Sequence, residues 1–292
     1  MQRPHCFLFD NGSLRAASTL NLRAVVRALT PVIEADISAA SLLHSSGVPA
    51  DQLNGVPAEL LEPALINWLS KNPQGTAILL PFFFGPSGAL TEYLTERVRS
   101  VHAKFPQADL RIASPLVDIQ SPDTRMALAL ADAARRIART RELVNPKVLL
   151  VDHGSPHYAV TLVRNHLGDQ VRALLQNEVA LVGVASMERR PGLEYTFADP
   201  LLANALAEPP FNDGDVIVLL QFLSPGRHAG EGGDIEEICG EAQRGMPQLR
   251  TYLTEPIGQD PRIIELLAQR YRDAASKTQT SLRGSIKPTS SA

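Results

Sequence analysis

Cysteine is nearly absent from this chain of 292 residues, which contains only Cys6 and Cys239. Two thiols so far apart cannot form the disulfide framework of a small secreted domain, so we expect both to be free in a reducing compartment. Long apolar runs are absent too. The first run, 6–9, is too short for a signal peptide, and none approaches the roughly 20 residues that span a bilayer. We therefore expect a cytoplasmic protein without a membrane segment.

An excess of one charge is also missing. The formal net charge is −3 and the pI is about 6.2. These values exclude the broad basic surface that nucleic acids or anionic membranes attract, so an anionic ligand needs local positive charge. No Gly-x-Gly-x-x-Gly, Walker-type or Gly-x-Ser-x-Gly sequence follows an apolar run, which disfavours nucleotide binding and the usual serine hydrolase.

The sequence repeats itself. Residues 7–13 (FLFDNGS) resemble 149–155 (LLVDHGS) at an offset of 142, and residues 77–83 resemble 217–223 at an offset of 140. Shorter matches near Pro106 and Pro115 have an offset of 141. Three segments at nearly one offset indicate an internal duplication. We predict two related domains, 1–140 and 147–275, and a disordered tail, 276–292, which is rich in Ser and Thr.

Within each copy, short apolar runs alternate with helical patterns. In the second copy the apolar runs 147–151, 179–185, 216–220 and 249–253 indicate buried strands. Helical patterns occupy 158–176, 199–207, 234–243 and 261–275, with Asp199 as N-cap and Pro200 as first helical residue of the second helix. These units predict an α/β fold of two duplicated domains, each a mainly parallel sheet flanked by helices, facing across a cleft.

Ligands of open parallel sheets bind beyond the carboxyl ends of the strands, so residues at those ends are the first candidates. In the second copy, the first strand leads into His153 and the third leads into a loop with His228. Either histidine alone is more simply a packing or surface residue. Together they can hold a divalent metal such as Co²⁺, Fe²⁺ or Ni²⁺. Two protein ligands suit an ion that is handed over better than a structural ion.

Three segments around these histidines carry a family resemblance. VDHGS at 151–155, FLSPGRH at 222–228 and EPIGQDPR at 255–262, in that order, resemble the sirohydrochlorin chelatases. That family inserts cobalt or iron into sirohydrochlorin on the way to cobalamin or sirohaem, and its long members carry two such domains. The resemblance covers most of 147–275. It implies that His153 and His228 bind the metal, that a tetrapyrrole with eight carboxylates is the partner, and that no organic cofactor is needed.

The chain departs from the family pattern at several positions. In the first copy, Asn11 and, by the offset of 140, Gly88 stand where the second copy has histidines. We expect this half to have lost the metal chemistry and to form the other wall of the cleft, which favours a monomer. The resemblance implies Phe-x-Glu before the second helix, where this chain has Thr196. The loop 229–233 is longer and richer in glycine than in the family.

Further candidates surround the histidine pair. Glu231 is assigned to proton transfer or metal guidance, whereas Asp234 is interpreted as the N-cap of the helix that begins at Ile235. Arg227 and Ser155 are assigned to substrate binding, because a guanidinium matches a substrate carboxylate and Ser155 adjoins the first histidine motif. Weaker candidates for carboxylate binding, also readable as solvated surface charges, are Arg15, Arg189 and Arg190.

Three functions are compatible with these residues. The first is a lyase-type chelatase that inserts Co²⁺ or Fe²⁺ into sirohydrochlorin or a related tetrapyrrole, holding the metal and accepting two pyrrole protons. The second is a non-catalytic tetrapyrrole or metal carrier descended from a chelatase. The third is a metal-dependent hydrolase. The sequence leaves the metal, the macrocycle and the oligomeric state open, because imidazoles accept several divalent ions.

Overall fold

The strands form two parallel sheets of the same topology. The computed structural model describes residues 3–276. Its strands are β1 (His5–Asp10), β2 (Asp36–Ser41), β3 (Thr76–Pro81), β4 (Asp109–Ile112), β5 (Lys147–Asp152), β6 (Leu181–Ser186), β7 (Gly214–Leu220) and β8 (Leu249–Leu253). Neighbouring strands pair in the orders β2-β1-β3-β4 and β6-β5-β7-β8, all parallel. The predicted α/β fold with two similar halves is confirmed.

Helices flank both sheets. They are α1 (Ala16–Leu29), α2 (Leu61–Lys71), α3 (Thr95–Lys104), α4 (Arg125–Thr140), α5 (Tyr158–Leu175), α6 (Leu202–Ala207), α7 (Asp234–Gly245) and α8 (Pro261–Ser276). The central strand β5 is apolar from 148 to 151 and fully buried there, as a strand covered on both faces must be. Within residues 3–276, no helix is both long and apolar enough to cross a membrane.

The second helix of the second half begins later than the sequence predicts. Asp199 has extended backbone angles and its carboxylate pairs with Arg189, so it does not cap a helix. The residue before a proline is disfavoured in the helical region, which explains why Asp199-Pro200 does not start one. Leu201 is the N-cap, and α6 starts at Leu202. The predicted helix 199–207 is therefore wrong in its first three residues.

The last helix of each half packs against the sheet of the other half. α4 follows β4 in the chain but contacts α5 and β7, whereas α8 contacts β3 and β4. Both helices enter one buried apolar cluster that contains residues of both halves, including Cys6. Cys6 and Cys239 are free, as predicted, and both are buried. The domain bounds 1–140 and 147–275 stay a prediction, and the predicted tail lies outside the described residues except for Ser276, the last residue of α8.

Strand register gives the correspondence between the halves. His5 pairs with Ala77, and Lys147 pairs with Val216. Ala77 of β3 therefore corresponds to Val216 of β7, an offset of 139, one residue less than the offset of 140 that the sequence suggests. Seven residues, 82–88, then separate β3 from the next helical segment, Ala89–Leu94, whereas thirteen, 221–233, separate β7 from α7. The loop that carries His228 has no counterpart of equal length, so the predicted equivalence of Gly88 and His228 is wrong.

Candidate active site

A cleft of about 410 Å³ opens between the two halves at the carboxyl ends of their strands. Ligands of parallel sheets bind at this place, because the loops that follow the strands converge there. Both halves supply its walls. Its lining consists of Asp10, Asn11, Gly12, Ser13, Ser18, Phe82, Phe83 and Phe84 from the first half, and His153 and residues 221–229 from the second.

The two predicted histidines meet in this cleft. His153 follows β5 directly, and His228 lies in the long loop between β7 and α7. Their ring centroids are 4.7 Å apart and the rings are nearly perpendicular, at 72°. Parallel strands β5 and β7 are neighbours, which brings residues 75 positions apart in sequence to one place. The geometry that the sequence predicts for this pair is therefore present, while the metal-binding role stays a prediction.

Hydrogen bonds to the two Nδ1 atoms determine which nitrogen of each ring is free. Nδ1 of His153 lies 2.9 Å from the carbonyl oxygen of Gly154, and Nδ1 of His228 lies 2.7 Å from Oδ2 of Asp234. A carbonyl and a carboxylate only accept hydrogen bonds, so both Nδ1 atoms donate and carry the proton. In the neutral rings the Nε2 lone pairs are then available to a metal ion.

A carboxylate that the sequence analysis missed lies beside His153. Oε1 of Glu188 is 3.5 Å from Nε2 of His153, and the Glu188 side chain is largely exposed. The predicted position of an acidic residue, Thr196, is elsewhere: its hydroxyl donates to the carbonyl of Leu193. Glu188 lies two residues after the end of β6. Residues that follow the carboxyl ends of parallel strands are candidates for the ligand site, and this applies to Glu188 as it does to His153.

Asp234 supports His228 and does not cap α7. Gly233 is the N-cap, without a side-chain hydrogen bond, and Asp234 is the first helical residue. The Asp234 carboxylate accepts the hydrogen bond from Nδ1 of His228 and also lies 3.5 Å from Nε of Arg227. The predicted capping role is wrong because the loop folds back and brings the imidazole to the carboxylate. This pairing fixes the orientation of the ring.

Comparisons with known proteins agree with this geometry. The CbiX family model matches residues 147–274, the half that holds both histidines. We refer to residues 147–274, the segment that this model matches, as the CbiX domain. The resemblance to the sirohydrochlorin chelatases is thereby confirmed for this half. Among curated proteins, no sequence matches the chain.

Solved structures extend the likeness beyond the CbiX domain to both halves. SirB from Bacillus subtilis with Fe³⁺ has a TM-score of 0.68 at 14% identity, covering 94% of this chain and 96% of that chain. A SirB complex with cobalt from subspecies spizizenii has a TM-score of 0.67 at 15% identity, with the same coverage. A structure of CbiX, described as the terminal enzyme of sirohaem biosynthesis in denitrifying bacteria, has a TM-score of 0.59 at 17% identity. The match covers 93% of this chain and 99% of that chain. At these identities the likeness shows a shared fold.

Positive charge near the histidine pair of the CbiX domain comes from Arg227. Its side chain is exposed over 75% of its surface and lines the cleft. Arg189 is engaged by the carboxylate of Asp199 and by two backbone carbonyls, and Arg15 and Arg190 are exposed outside the cleft lining. Arg227 is therefore the predicted arginine best placed to meet a substrate carboxylate.

Two other predicted site residues of the CbiX domain lie apart from the pair. The hydroxyl oxygen of Ser155 accepts the backbone N–H of His157, 3.1 Å away, and Ser155 is outside the cleft lining. Glu231 is exposed on the loop before α7 and also lies outside the lining. Within residues 3–276, no group of three or more His, Cys, Asp or Glu side chains is arranged for a metal ion. The pair is thus an open site of two imidazoles.

The first half lines the cleft opposite the CbiX domain with polar residues after β1 and with three phenylalanines after β3. Asn11 follows β1 as His153 follows β5, so the predicted replacement of the first histidine is correct. Phe82, Phe83 and Phe84 follow β3 and line the cleft. Gly88 instead faces the side chain of His157, since a Cβ there would lie 2.3 Å from its Nε2. An aromatic wall suits the face of a flat conjugated ring.

We expect Asp234→Ala to weaken Co²⁺ binding by about ten- to a hundredfold, because carboxylates that orient ligating histidines contribute that much to metal affinity. The measurement is calorimetric titration with Co²⁺. Glu236→Ala is the matched control, since Glu236 lies in the same helical turn but accepts a bond from the backbone of Gly232. Equal affinities of the two variants would show that Asp234 does not support the site.

A buried Asp–Ser pair occurs in both halves, but a positively charged side chain lies beside it only in the second half, among the described residues. Ser41 donates to Asp10 at 2.6 Å, and Ser186 donates to Asp152 at 2.7 Å. Burial raises the pKa of both carboxyls. In the CbiX domain, the buried guanidinium of Arg164 donates to Ser186 and opposes the rise for Asp152. In the first half, with Ser18 and Ser41 as partners, the pKa of Asp10 rises to about 6.

The raised pKa of Asp10 predicts a specific pH dependence of stability. The folded state binds this proton more tightly than the unfolded state, so the contribution of Asp10 to stability falls as pH rises from about 4 to about 6. Relative to Asp10→Asn, the wild type is expected to lose about 2 kcal/mol of unfolding free energy between about pH 4 and pH 7. Urea denaturation at several pH values measures the difference. Parallel profiles would contradict it.

Proposed function

We propose that the protein inserts a divalent metal, Co²⁺ or Fe²⁺, into sirohydrochlorin or a close relative. The observation that carries the proposal is the convergence of two imidazoles, each with a free Nε2, at the edge of a cleft between two α/β halves. The structures of SirB with Fe³⁺ and with cobalt support a metal as the transferred species. The family of the second half supports a tetrapyrrole as the acceptor.

The arrangement suits an ion that is held briefly. Two neutral nitrogens bind a divalent cation without neutralising it, and the remaining coordination positions stay open to water or to ring nitrogens. As the ring nitrogens replace His153 and His228, the metal leaves the protein. A site with more ligands, or with charged ligands, would retain the ion. The low ligand number is therefore a property that transfer requires.

Two pyrrole protons must leave as the metal enters, and the two histidines and Glu188 are the bases closest to the proposed metal position. Glu188 lies 3.5 Å from Nε2 of His153, so a carboxylate stands next to the proposed metal position. Once the metal has moved into the ring, the Nε2 atoms of His153 and His228 are each free to accept one of the two protons, and Glu188 stabilises the imidazolium of His153. The balanced change is one metal dication in and two protons out.

The remaining cleft residues match a flat ring with acidic substituents. Phe82, Phe83 and Phe84 offer apolar contact to the ring, and Arg227 at the rim offers a guanidinium to a carboxylate. One chain supplies both walls, which favours a monomer. The monomeric state and the cytoplasmic location stay predictions.

Anaerobic incubation with sirohydrochlorin and each of Co²⁺, Fe²⁺ and Ni²⁺ tests the proposal. Absorbance spectra are expected to show conversion of many ring equivalents per protein, with the preferred metal converted fastest. A single stoichiometric change would indicate the carrier function, and conversion no faster than in buffer would overturn the proposed enzyme. The same absorbance record therefore separates the two functions.

A further inference from the structure

Gln221 is a buried amide on the floor of the cleft. It follows β7 directly, is 5% exposed and belongs to the cleft lining. Ile217 and Leu219 of β7 enter the apolar core shared by the two halves. Side chains alternate along a strand, so Gln221 continues that same face, towards the cleft between the halves.

The first half has an apolar residue at the equivalent position. The backbone N–H of Phe82 donates to the carbonyl of Phe9, and the backbone N–H of Gln221 donates to the carbonyl of Val151. Phe9 and Val151 occupy matching places in β1 and β5. The fold therefore accepts a phenyl ring at this place, and a buried amide is not required to build the strand end.

The amide oxygen of Gln221 has no partner in the described part of the chain. Its Oε1 is buried and accepts no hydrogen bond from residues 3–276. A buried acceptor without a donor is unfavourable, so such a group in a native structure requires an explanation such as a bound water or ligand. Because Gln221 lines the cleft, a rotation of its terminal amide brings Oε1 to a molecule bound there, which can provide the missing donor.

We propose that Gln221 accepts a hydrogen bond from a pyrrole N–H of the free-base macrocycle and thereby selects the unmetallated ring over the metallated one. The inference rests on the proposed function. The carboxylates of sirohydrochlorin are ionised at neutral pH and only accept hydrogen bonds, so they cannot satisfy Oε1. The inner N–H groups are donors, and they are the groups that disappear when the metal enters.

The contact therefore distinguishes substrate from product. In the free base, two inner nitrogens carry protons, and a pyrrole that tilts out of the ring plane directs its N–H to Oε1. After insertion all four nitrogens bind the metal, no inner N–H remains, and Oε1 is again without a donor. A site built to accept a hydrogen bond discriminates against an analogue that lacks the donor. Gln221 thus favours release of the metallated ring.

Equilibrium binding of sirohydrochlorin and of cobalt-sirohydrochlorin to the metal-free protein tests the inference. Gln221→Met keeps the length of the side chain and removes the acceptor. It is expected to weaken binding of the free base by about five- to tenfold and to leave binding of the cobalt form within about twofold. Gln170→Met is the matched control, because the Oε1 of Gln170 is also buried and unpartnered but Gln170 lies outside the cleft lining.

The outcomes separate this inference from the function on which it rests. If Gln221→Met keeps the wild-type preference for the free base, the inference is overturned while metal insertion by the wild type still supports the enzyme. If the wild type binds neither form of the ring, both are overturned. A loss of preference in Gln221→Met but not in Gln170→Met supports the role of the amide.

Discussion

His153→Ala and His228→Ala are each expected to slow metal insertion by about a hundredfold or more. Residues that merely orient a ligating histidine contribute about ten- to a hundredfold to metal affinity, so removal of the ligand itself costs at least as much. Each variant leaves a single imidazole in the cleft, which cannot hold the ion in position for the ring. Initial rates at subsaturating Co²⁺ measure the effect.

Folding controls make this result specific. The His153 side chain is 45% exposed, so its removal is expected to change the midpoint of thermal unfolding little. His157→Ala is the matched control, because His157 lies in the same segment but outside the cleft lining. We expect that variant to insert metal at nearly the wild-type rate. Wild-type rates in both His153→Ala and His228→Ala would rule out the assigned metal site.

Arg164→Met is expected to lower the free energy of unfolding at pH 7 by about 3–5 kcal/mol, because it removes a buried guanidinium that is linked to Asp152 through the Ser186 hydroxyl. Arg164 is 1% exposed and donates to the hydroxyl of Ser186 and to the carbonyl of Ala198. Methionine fills a similar length but leaves the buried carboxylate of Asp152 uncompensated. Chemical denaturation measures the loss.

Two further variants test the cause of that loss. Arg244→Met removes an exposed arginine 4.0 Å from Glu241 and is expected to cost less than about 1 kcal/mol. Adding Asp152→Asn to Arg164→Met removes the uncompensated charge, so the double variant is expected to recover part of the stability. Asp152→Asn alone is measured as well. If the double variant loses as much stability as Arg164→Met and Asp152→Asn together, the interaction between the two charges is not the cause.

The buried Asp–Ser pairs show how the two halves have diverged around one architecture. In the second half, the Arg164 guanidinium is linked through the Ser186 hydroxyl to Asp152, the last residue of β5, and opposes the rise in the pKa of that carboxyl. In the first half, Asp10 has only the hydroxyls of Ser18 and Ser41 as side-chain partners, and burial raises its pKa to about 6. The first half therefore keeps the architecture of the strand end, while Asn11 stands where the second half has His153.

The sequence was sufficient to locate the histidine pair because two simple rules act together. Apolar runs of β5 and β7 predict buried parallel strands, and parallel strands place their following residues at one edge. Glu188 satisfies the same rule, whereas the family motif indicates an acidic residue at the position of Thr196, eight residues further along the chain. The position after the strand was the better signal, because strand ends determine which side chains share a cleft.

Other features depend on tertiary contacts that local patterns do not encode. The role of Asp234 follows from a loop that folds back onto His228, and an acidic residue at a helix start looks the same whether it caps or pairs. The exchange of α4 and α8 between the sheets is similarly hidden. Both helices have one apolar face, and such a face does not specify which of two similar sheets it covers.

The central claim is that Nε2 of His153 and Nε2 of His228 hold one metal ion together. Anomalous scattering at the cobalt edge, from crystals of the protein loaded with Co²⁺, tests it most directly. The account predicts one strong peak in the cleft, about 2.0–2.2 Å from both nitrogens. A peak bound to only one of them, or cobalt elsewhere with this cleft empty, would contradict it.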